Sequence, residues 1–222
     1  LSIILLLLQN VIMTAEDKKA TFGASVQMGM LSEEETMKFA FLANVEGVTP
    51  ETYSTVFESA GNYNLVAGVD GIEAGKEYAL KLAADGFDMI DLCGDFDDEV
   101  TAELQEKAGP DVKIRHADYT VDEMVKLDHL DSLRDYGVII MDERVEKPHE
   151  VVLRSESCDM RINFVNDMKQ AKQAAIKLVE KRIDFIELCS WFDLLRMEAI
   201  VEATGNRVPV GTCGELDPGR IK

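Results

Sequence analysis

The chain is short of positive charge. Lysine and arginine total 23 against 42 aspartates and glutamates, giving a formal net charge of −19 over 222 residues. Such a surface repels phosphate backbones and anionic lipid headgroups. Nucleic acid and membrane are therefore not expected as partners, and acidity spread along the chain suits a soluble cytoplasmic protein. Metal-binding patterns are lacking as well. Cys93, Cys158, Cys189 and Cys213 form no CxxC pair and keep no zinc-finger spacing with the three histidines, so no metal site is expected. Buried free thiols in a reducing compartment are expected rather than a disulfide framework.

Long apolar runs are missing too. Ile3 to Leu8 is apolar but is only six residues long, too short to span a bilayer. It also lacks the flanking features of a signal peptide. Thr14 to Thr36 shows neither a helical nor a strand period. Glu33-Glu34-Glu35 before Met37 is what a purine-rich ribosome-binding site would encode if translated in frame, so residues 1–36 are expected to be a foreign leader and Met37 the start. A membrane-associated leader is the rival reading.

What is present is a repeat. Phe87 to Asp97 aligns with Ile183 to Asp193 at a constant offset of 96, and six of the eleven positions are identical. The same offset pairs Lys76 with Lys172, Ala79 with Ala175, Leu82 with Leu178, Gly109 with Gly205 and Val112 with Val208. A self-similarity of this kind means one structural unit written twice.

Each copy reads as alternating strands and helices. In the first, Lys38 to Leu42 is a strand, Pro50 opens a helix, and Asn64 to Val69 is a second strand. Ile72 to Ala84 is a helix closed by Gly86, and Met89 to Cys93 a third strand. Asp97 caps a helix stopping at Gly109, and Val112 to Ile114 is the fourth strand. The second copy repeats this with Val138 to Met141, Arg161 to Val165, a helix burying Ala171, Ala174, Ala175, Leu178 and Val179, then Phe185 to Cys189 and Val208 to Val210. Between them, Thr120-x-x-Glu123 predicts a capping box on a connecting helix running to about Asp135; His129 within it reads as a solvated histidine.

Short, nearly continuous apolar strands flanked by helices imply mainly parallel sheets. The expected fold is α/β, as two tandem three-layer modules at 37–118 and 136–222 joined by a linker at 119–135. The alternative is a compact βα barrel of two half-barrels, for which the repeat region is short. The duplication makes the chain a built-in pseudo-dimer, and further homo-oligomerisation is compatible with it.

The stretch Ile90-Asp91-Leu92-Cys93-Gly94-Asp95-Phe96, with Ile186-Glu187-Leu188-Cys189 and Arg207-Val208-Pro209-Val210-Gly211, resembles a bacterial and archaeal family known as domain of unknown function 6506. That family shows Ile-Glu-Leu-Cys-Gly-Gly-Phe and Arg-Val-Pro-Val-Gly. The resemblance spans both copies, about residues 37–118 and 136–217. Asp91 replaces the Glu and Lys113 the Pro in the first copy, and Ser190-Trp191 replaces the paired glycines in the second. It implies the module and no chemistry.

Ligands of parallel sheets bind beyond the carboxyl ends of the strands, and the third strand of each copy places polar residues there. Asp91 and Cys93 share one face, as do Glu187 and Cys189. A carboxylate in an apolar strand is costly without a partner. Three readings compete. In the first, the cysteines pack as small hydrophobes and the acids accept bonds from the Gly94 or Ser190 turn and helix N-terminus. In the second, the strand ends hold a small molecule or metal, with Asp91, Cys93, Gly94, Glu187, Cys189, Ser190, His116 and Thr212 as candidates. In the third, Cys93 and Cys189 flank one carbon and exchange its proton, as an isomerase or lyase would, in the manner of cofactor-independent amino-acid racemases; a neighbouring carboxylate works against this by raising the thiol pKa.

Asymmetric features add little. Arg115-His116-x-Asp118 offers a histidine and an aspartate for base chemistry. Gly211-Thr212-Cys213-Gly214 could cradle an anion but has no P-loop lysine, and Trp191 caps a pocket or packs between copies. No cofactor is named by any motif. The leading expectation is a small-molecule binding protein; the runner-up is a non-catalytic assembly module.

Overall fold

A computed structural model of the chain describes residues 36–216 and Gly219. The leader expectation covers residues 1–36, of which all but Thr36 lie outside the described residues. The first copy runs β1 (Met37–Asn44), β2 (Ser54–Ser59), β3 (Asn62–Val69), α1 (Ile72–Ala84), β4 (Met89–Leu92), α2 (Asp98–Ala108) and β5 (Lys113–His116). A connecting α3 (Val121–Leu127) leads to β6 (Asp135–Met141), β7 (His149–Arg154), β8 (Asp159–Val165), α4 (Met168–Glu180), β9 (Phe185–Leu188), α5 (Leu194–Ala203) and β10 (Val210–Thr212).

The strands form two five-stranded sheets with the same order, β2-β3-β1-β4-β5 and β7-β8-β6-β9-β10. In each, four strands are parallel and the edge strand is antiparallel. These are the two α/β modules expected, built on the same plan. The barrel does not form, because among the described residues the strands stay in separate sheets joined along their edges only by the bridge of Asp118 with Thr212.

Connectivity decides the layers. The β3-α1-β4 and β4-α2-β5 crossovers step in one direction across the sheet, and right-handed crossovers then place both helices on one face. In the second copy that face is marked by Gly137, whose missing side chain leaves room for Leu178 of α4 and for Ile183 and Ile186. The opposite face, carrying Phe41 and Asp91 in one sheet and Tyr136 and Glu187 in the other, packs against the sister sheet. Phe41 meets Tyr136 with ring centroids 6.5 Å apart, and Phe57 stacks on Phe164 at 4.6 Å. The layer that completes each module is thus its sister's sheet rather than a second layer of helices.

Local chemistry accounts for the helix limits. The Asp97 side chain accepts from Val100 N at 2.9 Å, and Asp167 and Asp193 do the same for α4 and α5, satisfying amides that have no intrahelical partner. Gly109 and Gly205 lie at φ +84 and +66, a left-handed turn that a glycine makes without a Cβ penalty. Helix α4 buries Ala171, Ala174, Ala175, Leu178 and Val179 along one stripe.

Two expectations are corrected. Pro50 does not start a helix: Thr52 N and Tyr53 N turn back to Thr49 O, and the chain enters β2. Ser54–Ser59 alternates exposed and partly buried residues, the period of an edge strand, and pairs with β3 through the two-residue Ala60-Gly61 connection; β7 is its counterpart. The Thr120 capping box does not form either. Thr120 makes no side-chain cap bond. The Glu123 carboxylate instead accepts from Val210 N at 2.9 Å and pairs with Lys126, tying α3 to the second sheet, and α3 ends at Leu127.

Candidate functional site

The acid–Cys strands lie back to back at the junction of the copies. Glu187, in β9, reaches across to accept from the backbone amide of Gly94 in the first copy at 2.9 Å. Asp91, in β4, accepts from Ser190 N in the second copy at 2.7 Å. Gly94 and Ser190 are themselves equivalent, so the two bonds are one contact repeated about the pseudo-twofold. The turn that each acid serves belongs to the sister copy, not to its own.

The two acids differ in how well they are satisfied. Glu187 Oε1 also accepts from Tyr119 OH at 2.8 Å, and Oε2 accepts from Tyr136 OH. Asp91 Oδ1 has no hydrogen-bond partner and the residue is fully buried. Burial pushes Asp91 up to about 7 against the pull of Ser190. Burial likewise raises Glu187 to about 7, against the lowering effect of Tyr136, Tyr119 and Gly94.

The thiols are buried and packed against backbone amides. Cys93 Sγ accepts from Asn44 N at 3.1 Å and Cys189 Sγ from Met141 N at 3.3 Å, matching contacts in the two copies. Burial, and then the Glu187 carboxylate, raise Cys93 well above the usual thiol range; burial and then Asp91 push Cys189 up to about 12. All four cysteines are free and buried. Since the thiolate is the nucleophile, iodoacetamide at neutral pH is expected to label none of them in the folded chain within minutes and all four in denaturant. Fast labelling of folded Cys93, read by peptide mass spectrometry, would contradict this.

A cavity of about 410 Å³ opens at the carboxyl ends of β1, β4 and β5. Of the candidates, Cys93, Gly94, His116 and Glu187 line it; Asp91, Cys189, Ser190 and Thr212 do not. Of the two sulfurs, Cys93 reaches this cavity and Cys189 does not. His116 is only 10% exposed, with Nε2 at 3.3 Å from Asp118 and 3.8 Å from Asp98, and Nδ1 bonded to Thr101 Oγ1 at 2.9 Å. Burial opposes its protonation, but Asp118 foremost, with Asp98 and Asp97, outweighs burial and holds the imidazole above its ordinary pKa. Among the described residues no cluster of His, Cys, Asp or Glu is arranged to hold a metal ion.

The equivalent place in the second copy is packed. Trp191 stands where Asp95 is, with the Arg196 guanidinium 4.1 Å from its ring. Thr212, in place of His116, donates to Phe192 O at 2.6 Å and accepts from Gly214 N. A Cβ on Gly214 would lie 1.9 Å from Phe192 O, and one on Gly211 would strike the Tyr119 ring at 2.6 Å. This turn, an anion-cradle candidate in the sequence, is filled by its own neighbours.

Tyr119, Tyr136, Phe185 and Asn44 also line the cavity, and the sequence did not single them out. Tyr119 follows His116-x-Asp118 and could have been found by extending that motif. Tyr136 and Phe185 open their strands in the second copy, and only the packing of the copies brings them to the first copy's strand ends.

Among the described residues no helix is long and apolar enough to cross a membrane. No curated protein sequence matches the chain. The sequence profile of a family of unknown function (DUF6506) matches it twice, over residues 37–132 and 134–217, and those spans hold the two sheets that share one strand order. The chain belongs to that family and carries its module in duplicate.

Proposed function

We propose that the protein is a cytoplasmic binder of a small molecule, held at the strand ends of the first copy. The observation that carries this reading is the cavity of about 410 Å³, walled by both copies, at the position where parallel sheets receive ligands. Its volume falls in the usual range of ligand sites, and its lining mixes a mainly apolar wall with a few converging polar groups. Cys93 and Glu187 serve there as floor and support, with His116, Asp118, Asn44 and Asp95 supplying the polar groups.

Binding is expected to disappear when the cavity is filled. Leu127 lines it from a partly exposed position on α3, so Leu127→Trp places an indole in the space without disturbing the sheets. Native mass spectrometry of protein purified from cells should show a small mass released on denaturation, present in the parent and absent from L127W. A ligand retained equally by both would sink the reading.

A second reading, that the acid–Cys segments hold the copies together as an assembly module, draws on the reciprocal bonds of Asp91 and Glu187. It accounts for those residues and not for the cavity.

A further inference from the structure

Resting on the cavity as a ligand site, we infer that its ligand is a small organic cation, an amine carried on a compact apolar or aromatic body. Two independent features of the walls point to this chemistry. The first is aromatic. Tyr136 and Phe185 stack at 4.4 Å, and both line the cavity together with Phe96 and Tyr119. Ring faces attract ammonium groups, most strongly where water is excluded.

The second is the sign of the charge. Glu187 lies at the wall and is 2% exposed. Asp95, Asp97, Asp98 and Asp118 ring the opening, and among the described residues the only side chain lining the cavity that can carry positive charge is His116, already engaged by Asp118. A concave, acid-lined site focuses a negative potential that draws cations and repels anions. Among the described residues no arginine or lysine lines the cavity to neutralise an anionic ligand, and a neutral one would gain from the rim a hydrogen bond at most, without the attraction of opposite charge. The apolar wall of Val45, Ala117, Met124, Leu127 and Leu133 fits the body of the ligand.

Three near-isosteric probes separate the possibilities: phenethylamine, 2-phenylethanol and phenylacetate, titrated calorimetrically into the full chain. The amine is expected to bind at least tenfold tighter than the alcohol, with no detectable binding of the carboxylate. Its affinity should fall at least fivefold in Asp95→Asn/Asp118→Asn and between 20 and 500 mM NaCl, whereas that of the alcohol should not move. Equal binding of amine and alcohol, both lost in L127W, would overturn the cation assignment and leave the pocket standing. Failure of all three to bind, or binding that persists in L127W, would overturn the cation assignment and the pocket together.

Discussion

Replacing Glu187 by alanine is expected to lower the melting temperature by roughly 10 °C, the largest effect of any single side-chain truncation at the junction. The carboxylate is the common acceptor of Gly94 N, Tyr119 OH and Tyr136 OH. Truncation leaves the buried Tyr119 and Tyr136 hydroxyls and the part-buried bond to the Gly94 amide without their acceptor, and each buried donor so stranded costs on the order of 1–3 kcal/mol. Relief of a buried carboxylate offsets part of this, so a net loss of about 3–5 kcal/mol is expected. At about 2–4 °C per kcal/mol for a chain of this size, that is the shift stated. Glu187→Gln keeps an acceptor for Gly94 and Tyr119, and Tyr136 can rotate its hydroxyl to accept from the new amide, so this variant should lose less than half as much. Calorimetric melting of the two variants tests the arrangement. An alanine variant as stable as the glutamine one would show that the three bonds do not act together.

The protein is also expected to be more stable at pH 5 than at pH 8, by several kcal/mol. Asp91 and Glu187 titrate near 7 in the folded chain, raised mainly by burial, against about 4 in the unfolded chain. The folded state therefore binds more protons between these values. The stabilisation tied to those protons is complete below about pH 4 and is lost as pH rises through 7. His116, held above its ordinary pKa by Asp118 and its acidic neighbours, adds loss of the same sign as pH rises through its folded pKa. Glu103 acts oppositely: Lys107 and Lys76 hold it near 2, so its contribution is present above its unfolded pKa and fades only in strong acid. Urea midpoints at the two pH values measure the difference, and Asp91→Asn/Glu187→Gln should remove most of it. A midpoint that rises from pH 5 to 8, or a slope untouched in the double variant, would refute the assignment.

Much of this fold was legible residue by residue. The offset between Phe87–Asp97 and Ile183–Asp193 was enough to establish duplication, and the structure returns it as two sheets of one strand order. Asp97 and Gly109 bound α2 as their chemistry requires, because capping depends on neighbours within four residues. The edge strands β2 and β7 were missed for the opposite reason. An edge strand with one face toward solvent alternates polar and apolar residues weakly, and its identity rests on pairing with a partner that the local pattern does not show. Thr120 and Glu123 show the same limit: the capping-box spacing is present, but the buried amide of Val210 competes for the carboxylate and takes it.

The sequence by itself determined the unit, its duplication, the ends of α2 at Asp97 and Gly109 and the positions of the buried acids and thiols, because all of these follow from local pattern or from comparison of the chain with itself. Only the tertiary structure decided what those acids touch. Glu187 bonds Gly94 and Asp91 bonds Ser190 across a junction of 93 and 99 residues in sequence, and that pairing exists only once two apolar sheet faces have found each other. The cavity has the same origin. Its walls come from both copies, and nothing in a periodicity of 2 or 3.6 residues encodes which copy's strand ends stay open and which are filled by a tryptophan and a tight glycine turn.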